Sequence, residues 1–257
     1  MGNPALQRKK NNSTILWDIF GRLWAVWGIL SFLITFLIIF LPSMLCWLMP
    51  EKKGQVYFLT VARLWMNVWL RLIGCPLHIH GREHFTNGKT YVVIFNHNAL
   101  LDVPLSCPYV PGPNKTIAKS SFTKVPLFGL FYKRGSVLVN RESEKSRQQS
   151  YIEMKSVLAK GMHMCLYPEG TRNRTGQPLK PFYDGAFRLA AETGKEIIPC
   201  IITGTRKAMP IHKKFYLLPI RLQMFFMAPI TVTGKDVKAI KEEAFAVMWK
   251  KYVEETT

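Results

Sequence analysis

From Leu23 to Pro50 the chain carries no charged residue, a run of 28 positions bounded by Arg22 and Glu51. A helix of about 20 apolar residues spans the hydrocarbon core of a bilayer, so this run ties the N-terminal part of the chain to a membrane. A cleaved signal peptide is a poor match, because the run is too long and no small-x-small site follows it. Gly2 is a poor myristoylation site, because position 6 is Leu6 rather than Ser or Thr. Arg8, Lys9, Lys10 and Arg22 precede the run, and a strongly basic segment follows it. A single span would place one of these basic flanks outside, against the positive-inside tendency, although long domains escape that rule. Pro42 is a possible break, dividing the run into pieces of 19 and 8 residues. Gly54–Gly74 is amphipathic, with Val56, Leu59, Met66, Leu70 and Ile73 interrupted by Arg63 and with Trp65 and Trp69 one turn apart, as suits an interfacial helix. We read Leu16–Ile73 as two helices that enter one leaflet and return. A single span and a buried soluble helix are the alternatives.

Charge narrows the partners. Lys and Arg total 35 against 16 Asp and Glu, a net charge of +19. Residues 1–54 contribute +4 (six basic, two acidic) and residues 55–257 contribute +15 (29 basic, 14 acidic). Such a surface attracts phospholipid, nucleic acid or phosphorylated substrates. Hydrophobic residues make up 48 %, which excludes a disordered tail. The five cysteines are far apart and form no CxxC, which argues against a disulfide framework or a cysteine zinc site and fits a reducing compartment.

From Pro76 onward short apolar runs rich in β-branched residues alternate with helical patterns. Expected strands are Leu77–His80, Thr90–Phe95, Thr116–Ala118, Ser136–Val139, Met162–Tyr167, Glu196–Ile202 and Leu222–Ala228. Expected helices are Ser143–Lys160, Asp184–Thr193 and Lys235–Glu254, the first two stopped by Gly161 and Gly194 and the third capped by Thr233 and Asp236. The expected class is α/β, a mixed, largely parallel sheet flanked by helices, with membrane-associating helices in residues 1–75 and the α/β domain in residues 76–257.

Three segments can carry chemistry. Asn96-His97-Asn98-Ala99-Leu100-Leu101-Asp102 follows the apolar strand ending at Phe95. Asp102 is one of four aspartates in the chain and lies in an apolar stretch, where a carboxylate is costly unless paired. His97 is the obvious partner: the carboxylate would hold one ring nitrogen and leave the other a better base. A structural histidine beside a helix-capping aspartate explains the same spacing. Tyr167-Pro168-Glu169-Gly170-Thr171-Arg172-Asn173 closes another apolar strand with a turn and an arginine, a good anion site, or a plain turn with a Glu–Arg pair. Lys119 and Arg141 each directly follow a strand, where ligands of α/β sheets gather, although solvated surface charge is the simpler reading of either alone. His78, His80 and His84 lack companion ligands, so no metal site is expected. Cys165 reads as core. No G-x-S-x-G elbow and no phosphate-binding P-loop occurs.

Together these segments resemble the glycerolipid acyltransferases of the 1-acyl-sn-glycerol-3-phosphate acyltransferase (PlsC) type over about residues 76–205. Four blocks occur in order. Asn96-His97…Asp102 is similar to the family's NHx4D box. Lys119, Phe122, Pro126, Gly129 and Arg141 are similar to its second block, with Phe122 in place of Leu and 11 residues between Gly129 and Arg141, one fewer than the family's interval. Tyr167–Arg172 resembles FPEGTR, with Tyr for Phe, and Ile197-Ile198-Pro199 resembles the fourth block. The resemblance implies acyl transfer from an acyl-carrier-protein or coenzyme A thioester to the sn-2 hydroxyl of lysophosphatidic acid. His97 would be the general base and Asp102 would orient it. Asn96, Lys119, Arg141, Glu169, Gly170, Thr171 and Arg172 would serve the substrate, with the three cations on the acceptor phosphate. It implies no cofactor beyond the thioester co-substrate and no metal. It places the catalytic domain on an anionic membrane, at the cytoplasmic face of the inner membrane. The rivals are an O-acyltransferase of the same fold acting on another lysolipid such as a lyso-aminolipid, a basic membrane-bound adaptor, and a nucleic-acid binder. The last has no recognisable motif behind it.

Overall fold

A computed structural model describes residues 4–256, with side chains from Ile15 onward. Gly2 and the side chains of Arg8, Lys9 and Lys10 lie outside the described residues. The chain opens with α1 (Pro4–Met44), a 3-10 turn (Leu45–Leu48) and α2 (Glu51–Leu72). There follow β1 (Leu77–His80), β2 (Val92–Phe95), α3 (Asp102–Tyr109), β3 (Asn114–Lys119), α4 (Phe128–Arg134), β4 (Ser136–Val139) and α5 (Glu144–Ala159). The remaining elements are β5 (His163–Leu166), α6 (Gly185–Thr193), β6 (Ile197–Thr203), α7 (Thr205–Ala208), β7 (Leu222–Phe226) and α8 (Val237–Glu254).

Pro42 does not break the first helix. It falls in the last turn of α1, where little helix remains to be disrupted. The chain turns instead at Met49, which is extended (φ −107°, ψ 153°), as the residue before a proline prefers. Tryptophans then pin α1 against α2. Trp24 Nε1 donates to the Ile73 carbonyl at 3.0 Å, Trp27 to Leu72 at 2.9 Å, Trp69 to Gly28 at 3.0 Å, and Trp65 to the Thr35 hydroxyl at 2.9 Å. The inner stripe of the pair is buried. The outer face of α1 leaves Leu23, Leu30, Leu33, Ile34, Leu37, Ile38 and Leu41 exposed. By length and composition the helix from Ile15 to Leu48 is apolar enough to cross a membrane.

Among the described residues seven strands form one sheet, in the order β1-β7-β6-β2-β5-β3-β4. All neighbours are parallel except β6 and β7, so the sheet is mixed and largely parallel as expected. Strand β2 is central, with Val93 paired to Cys165 on one side and Ile198 on the other. Its residues alternate between two cores, as the two-residue period of a strand requires. Val93 and Phe95 join α1 and α2, whereas Val92 and Ile94 pack with the apolar faces of α5, α6 and α8. The N-terminal helices therefore share one core with the sheet. Ser143 caps α5 by accepting from Ser146 N–H at 3.2 Å, and Asp236 caps α8 by accepting from Ala239 N–H at 2.7 Å, with Asp236 rather than Thr233 supplying the cap bond.

His163, at the start of β5, accepts the Tyr91 N–H on Nδ1 at 3.0 Å, and burial lowers its pKa to about 4. The unfolded chain then binds the extra proton between pH 6.5 and 4, so folding stability should fall by roughly 3 kcal/mol as pH drops through that window. Denaturation midpoints at pH 7 and pH 4.5 would check this. The pH slope should be smaller in His163→Asn, whose Oδ1 can replace the Nδ1 acceptor.

Candidate active site

The turn between β2 and α3 brings the two ends of the Asn96–Asp102 box together. Asp102 Oδ2 lies 3.0 Å from His97 Nδ1, and the same oxygen accepts the backbone N–H groups of Asn98 (2.6 Å) and Ala99 (2.7 Å). Asp102 is fully buried. Three donors on one oxygen offset the cost of burying a carboxylate. With Nδ1 committed to Asp102, Nε2 is the ring nitrogen left for substrate. The imidazole is 15 % exposed, enough to be reached from outside.

The second box closes over the first. Strand β5 ends at Leu166, and the Tyr167 ring lies 4.6 Å from the imidazole while its hydroxyl donates to the Asp102 carbonyl at 2.9 Å. Burial, and then the nearby Asp102 charge, push the Tyr167 phenol well above its usual range, so it stays a donor. Glu169 is fully buried. Its Oε1 accepts the His97 N–H at 2.8 Å and its Oε2 accepts the Lys180 N–H at 3.0 Å. Burial raises the Glu169 pKa against the opposing pull of these donors. Glu169 thus holds the backbone of the histidine itself and does not pair with Arg172. Asn173 adds a second tie, its N–H donating to the His97 carbonyl at 2.6 Å. Gly170 turns the loop with φ +70°, a conformation that bulky residues avoid.

The expected phosphate ligands fall at one end of the sheet. Lys119 is the last residue of β3 and Arg141 follows the adjacent strand β4, both beyond β5 from His97. The Arg141 guanidinium donates to the Gly170 carbonyl, joining the β4 end to the loop. Arg172 is half-buried and has no protein partner for its guanidinium among the described residues. Thr171 is exposed, and its hydroxyl accepts from Lys180 Nζ at 2.6 Å. Asn96 is placed differently from the expectation. It is fully buried, its Nδ2 donates to the Ile202 carbonyl (2.9 Å) and its Oδ1 accepts the Ile202 N–H (2.7 Å). Both polar atoms are spent bracing β2 against β6, so Asn96 supports the site from behind rather than meeting a ligand.

Residues outside the sequence boxes also shape the site. Lys180 reaches it through the loop fold, eleven positions after Glu169. On the far side, Asn98 Nδ2 donates to the Tyr252 hydroxyl of α8 at 3.4 Å, and Arg206 donates to the Gly176 and Gln177 carbonyls at 3.3 Å each. No motif marked these residues. His78, His80 and His84 do not gather: His80 stacks on Phe225 at 4.7 Å, and among the described residues no group of three metal-ligating side chains forms.

A family model described as Acyltransferase matches residues 76–203. A 1-acyl-sn-glycerol-3-phosphate acyltransferase of Cocos nucifera is 34 % identical over 163 residues, covering 61 % of this chain and 49 % of its own. The 1-acyl-sn-glycerol-3-phosphate acyltransferase alpha of Mus musculus is 27 % identical over 176 residues, covering 66 % and 61 %. The chain spans about half the length of the Cocos relative and of a Chlamydomonas reinhardtii one. The crystal structure of the 1-acyl-sn-glycerophosphate acyltransferase PlsC from Thermotoga maritima superposes with a TM-score of 0.79 at 21 % identity, over 93 % of this chain and 97 % of that one, and shares its fold. The chain belongs to this acyltransferase family, that of the 1-acyl-sn-glycerol-3-phosphate acyltransferases.

Proposed function

We propose that the protein transfers an acyl chain from a thioester, acyl-carrier protein or coenzyme A, to the sn-2 hydroxyl of lysophosphatidic acid. The observation that carries the reading is the buried Asp102 carboxylate, 3.0 Å from His97 Nδ1, at the sheet end where Lys119 and Arg141 also lie. His97 Nε2 takes the proton of the acceptor hydroxyl as its oxygen attacks the thioester carbonyl carbon. The tetrahedral intermediate collapses, the C–S bond breaks, and the proton passes from Nε2 to the departing thiolate. Asp102 holds the tautomer and stabilises the imidazolium, as in hydrolase triads, with the substrate supplying the alcohol.

Lys119, Arg141 and Arg172 hold the acceptor phosphate. Arg172 can pair with it bidentately, because its planar guanidinium is not consumed by the protein. Arg172→Ala should raise KM for the acceptor about tenfold with a smaller effect on kcat. A drop in kcat at unchanged KM would assign the arginine another role.

The exposed face of α1 docks residues 1–75 on the cytoplasmic leaflet of an anionic membrane, and residues 76–257 carry out the chemistry there. No metal takes part in the steps above. The direct test supplies labelled lysophosphatidic acid and palmitoyl thioesters of both carriers to the protein in detergent. Labelled phosphatidic acid is expected from the wild type. Its absence with both donors would refute this acceptor assignment.

A further inference from the structure

Among the described residues two that are not glycine hold a left-handed φ, Leu127 at 59° and Phe215 at 54°. For a bulky side chain this region is strained, because Cβ crowds the following carbonyl. Such strain persists where packing imposes it, and it gathers at working surfaces. Neither residue offsets the strain by burial: Leu127 is 44 % exposed and Phe215 is 52 % exposed.

Both residues adjoin segments that pack on α1, one near Phe36 and the other near Gly21. Phe128, next to Leu127, meets Phe36 of α1 with ring centroids 5.7 Å apart. Tyr216, next to Phe215, covers Gly21 of α1 so closely that a side chain there would have no room. Its hydroxyl donates to the Trp17 carbonyl at 3.3 Å, and Leu217 N–H donates to the Gly21 carbonyl at 3.0 Å. The two segments also leave the sheet at the end where His97 lies, one following β3 and the other following β6 and α7. Cations accompany each. Lys124 and Lys133 line one surface cavity with Leu127. Beside Phe215 stand the exposed Lys214 and Arg22, which donates to the Lys214 carbonyl at 3.4 Å.

We infer that Leu127 and Phe215 are two wedges of the α/β part that enter an anionic phospholipid surface beside α1, at two points along its length. The inference rests on the docking of α1 proposed above. Two features select lipid over a protein partner. Each wedge stands next to a residue packed on the inner side of α1, whose outer face is apolar and exposed, and each pairs an apolar tip with basic neighbours, as insertion at a negatively charged interface requires. Three contacts instead of one would fix the tilt of the sheet and hold the His97 end against the headgroups.

The test uses the full chain reconstituted in vesicles. The native cysteines are buried, so single cysteines at Leu127→Cys and Phe215→Cys can carry a polarity-sensitive fluorophore. Leu30→Cys on α1 serves as the lipid reference, and Ile152→Cys, exposed on α5 in the opposite layer, as the water reference. In vesicles of mixed phosphatidylglycerol and phosphatidylcholine, spin-labelled lipid should quench both wedge probes about fivefold more than the Ile152 probe. It should quench them less in phosphatidylcholine alone. A wedge probe at the Ile152 level while Leu30 is quenched would overturn the inference and leave α1 docking intact. Equal quenching in both vesicle types would overturn the anionic assignment. A Leu30 probe that also stays in water would refute the docking of α1 together with the wedges.

Discussion

Replacing His97 with alanine is expected to lower acyl transfer by about 10²–10⁴-fold, the range a positioned general base supplies. The fold should survive. The imidazole's contacts are one bond to Asp102 and the face of Tyr167, whereas the backbone of residue 97 is held independently by Glu169 and Asn173. Rates and thermal unfolding measured on the same preparation would check both halves of the expectation. Asp102→Asn is a useful companion. Its side-chain oxygen can still accept the Asn98 and Ala99 N–H groups, but it lacks the charge that stabilises the imidazolium. Substantial turnover by a folded His97→Ala protein would exclude the mechanism.

Glu169→Ala is expected to impair both stability and turnover. The substitution leaves the N–H groups of His97 and Lys180 without their acceptors in a buried place, a loss of about 3 kcal/mol in unfolding free energy. The His97 backbone then loses one of its two ties, so the dyad should loosen and kcat should fall about 100-fold, with KM for the acceptor changing much less. Glu169→Gln keeps one acceptor oxygen and should fall between wild type and alanine on both measures. The contrast with Arg172→Ala is diagnostic: one residue acts through the histidine and shows in kcat, the other through the acceptor and shows in KM. A Glu169→Ala effect confined to acceptor KM would mean that the carboxylate serves the ligand, not the loop.

Much of the architecture is legible in the sequence alone. All seven strands were readable because each contains a short β-branched or apolar run; β2, β5 and β6 are buried throughout, whereas β3 begins at the polar Asn114 and Lys115, ahead of the expected Thr116, and β1 leaves His78 and His80 exposed. The pairing of His97 with Asp102 was readable because a carboxylate in an apolar stretch has to find a partner. Other features depended on neighbours distant in sequence. Helix α4 leaves no sequence signal, because seven residues rich in aromatics carry no helical period. Pro42 suggested a break that its place in the last turn makes unnecessary. Asn96 sits in the box beside the histidine, and only the adjacency of β2 and β6 reveals that Ile202 occupies both of its polar atoms.

The primary structure by itself determined the alternation of strands and helices, the apolar N-terminal run and the four ordered blocks, because each depends on local spacing and side-chain type. Tertiary structure decided the strand order, the reversal of β7 and β1, the packing of α1 on α2 through the tryptophans of both helices, and the roles of Glu169, Lys180 and Asn173 as backbone ties. Those roles are hydrogen bonds between groups far apart along the chain. A group's own spacing cannot say which distant amide or carbonyl will lie within 3 Å of it until the sheet order has brought the two together.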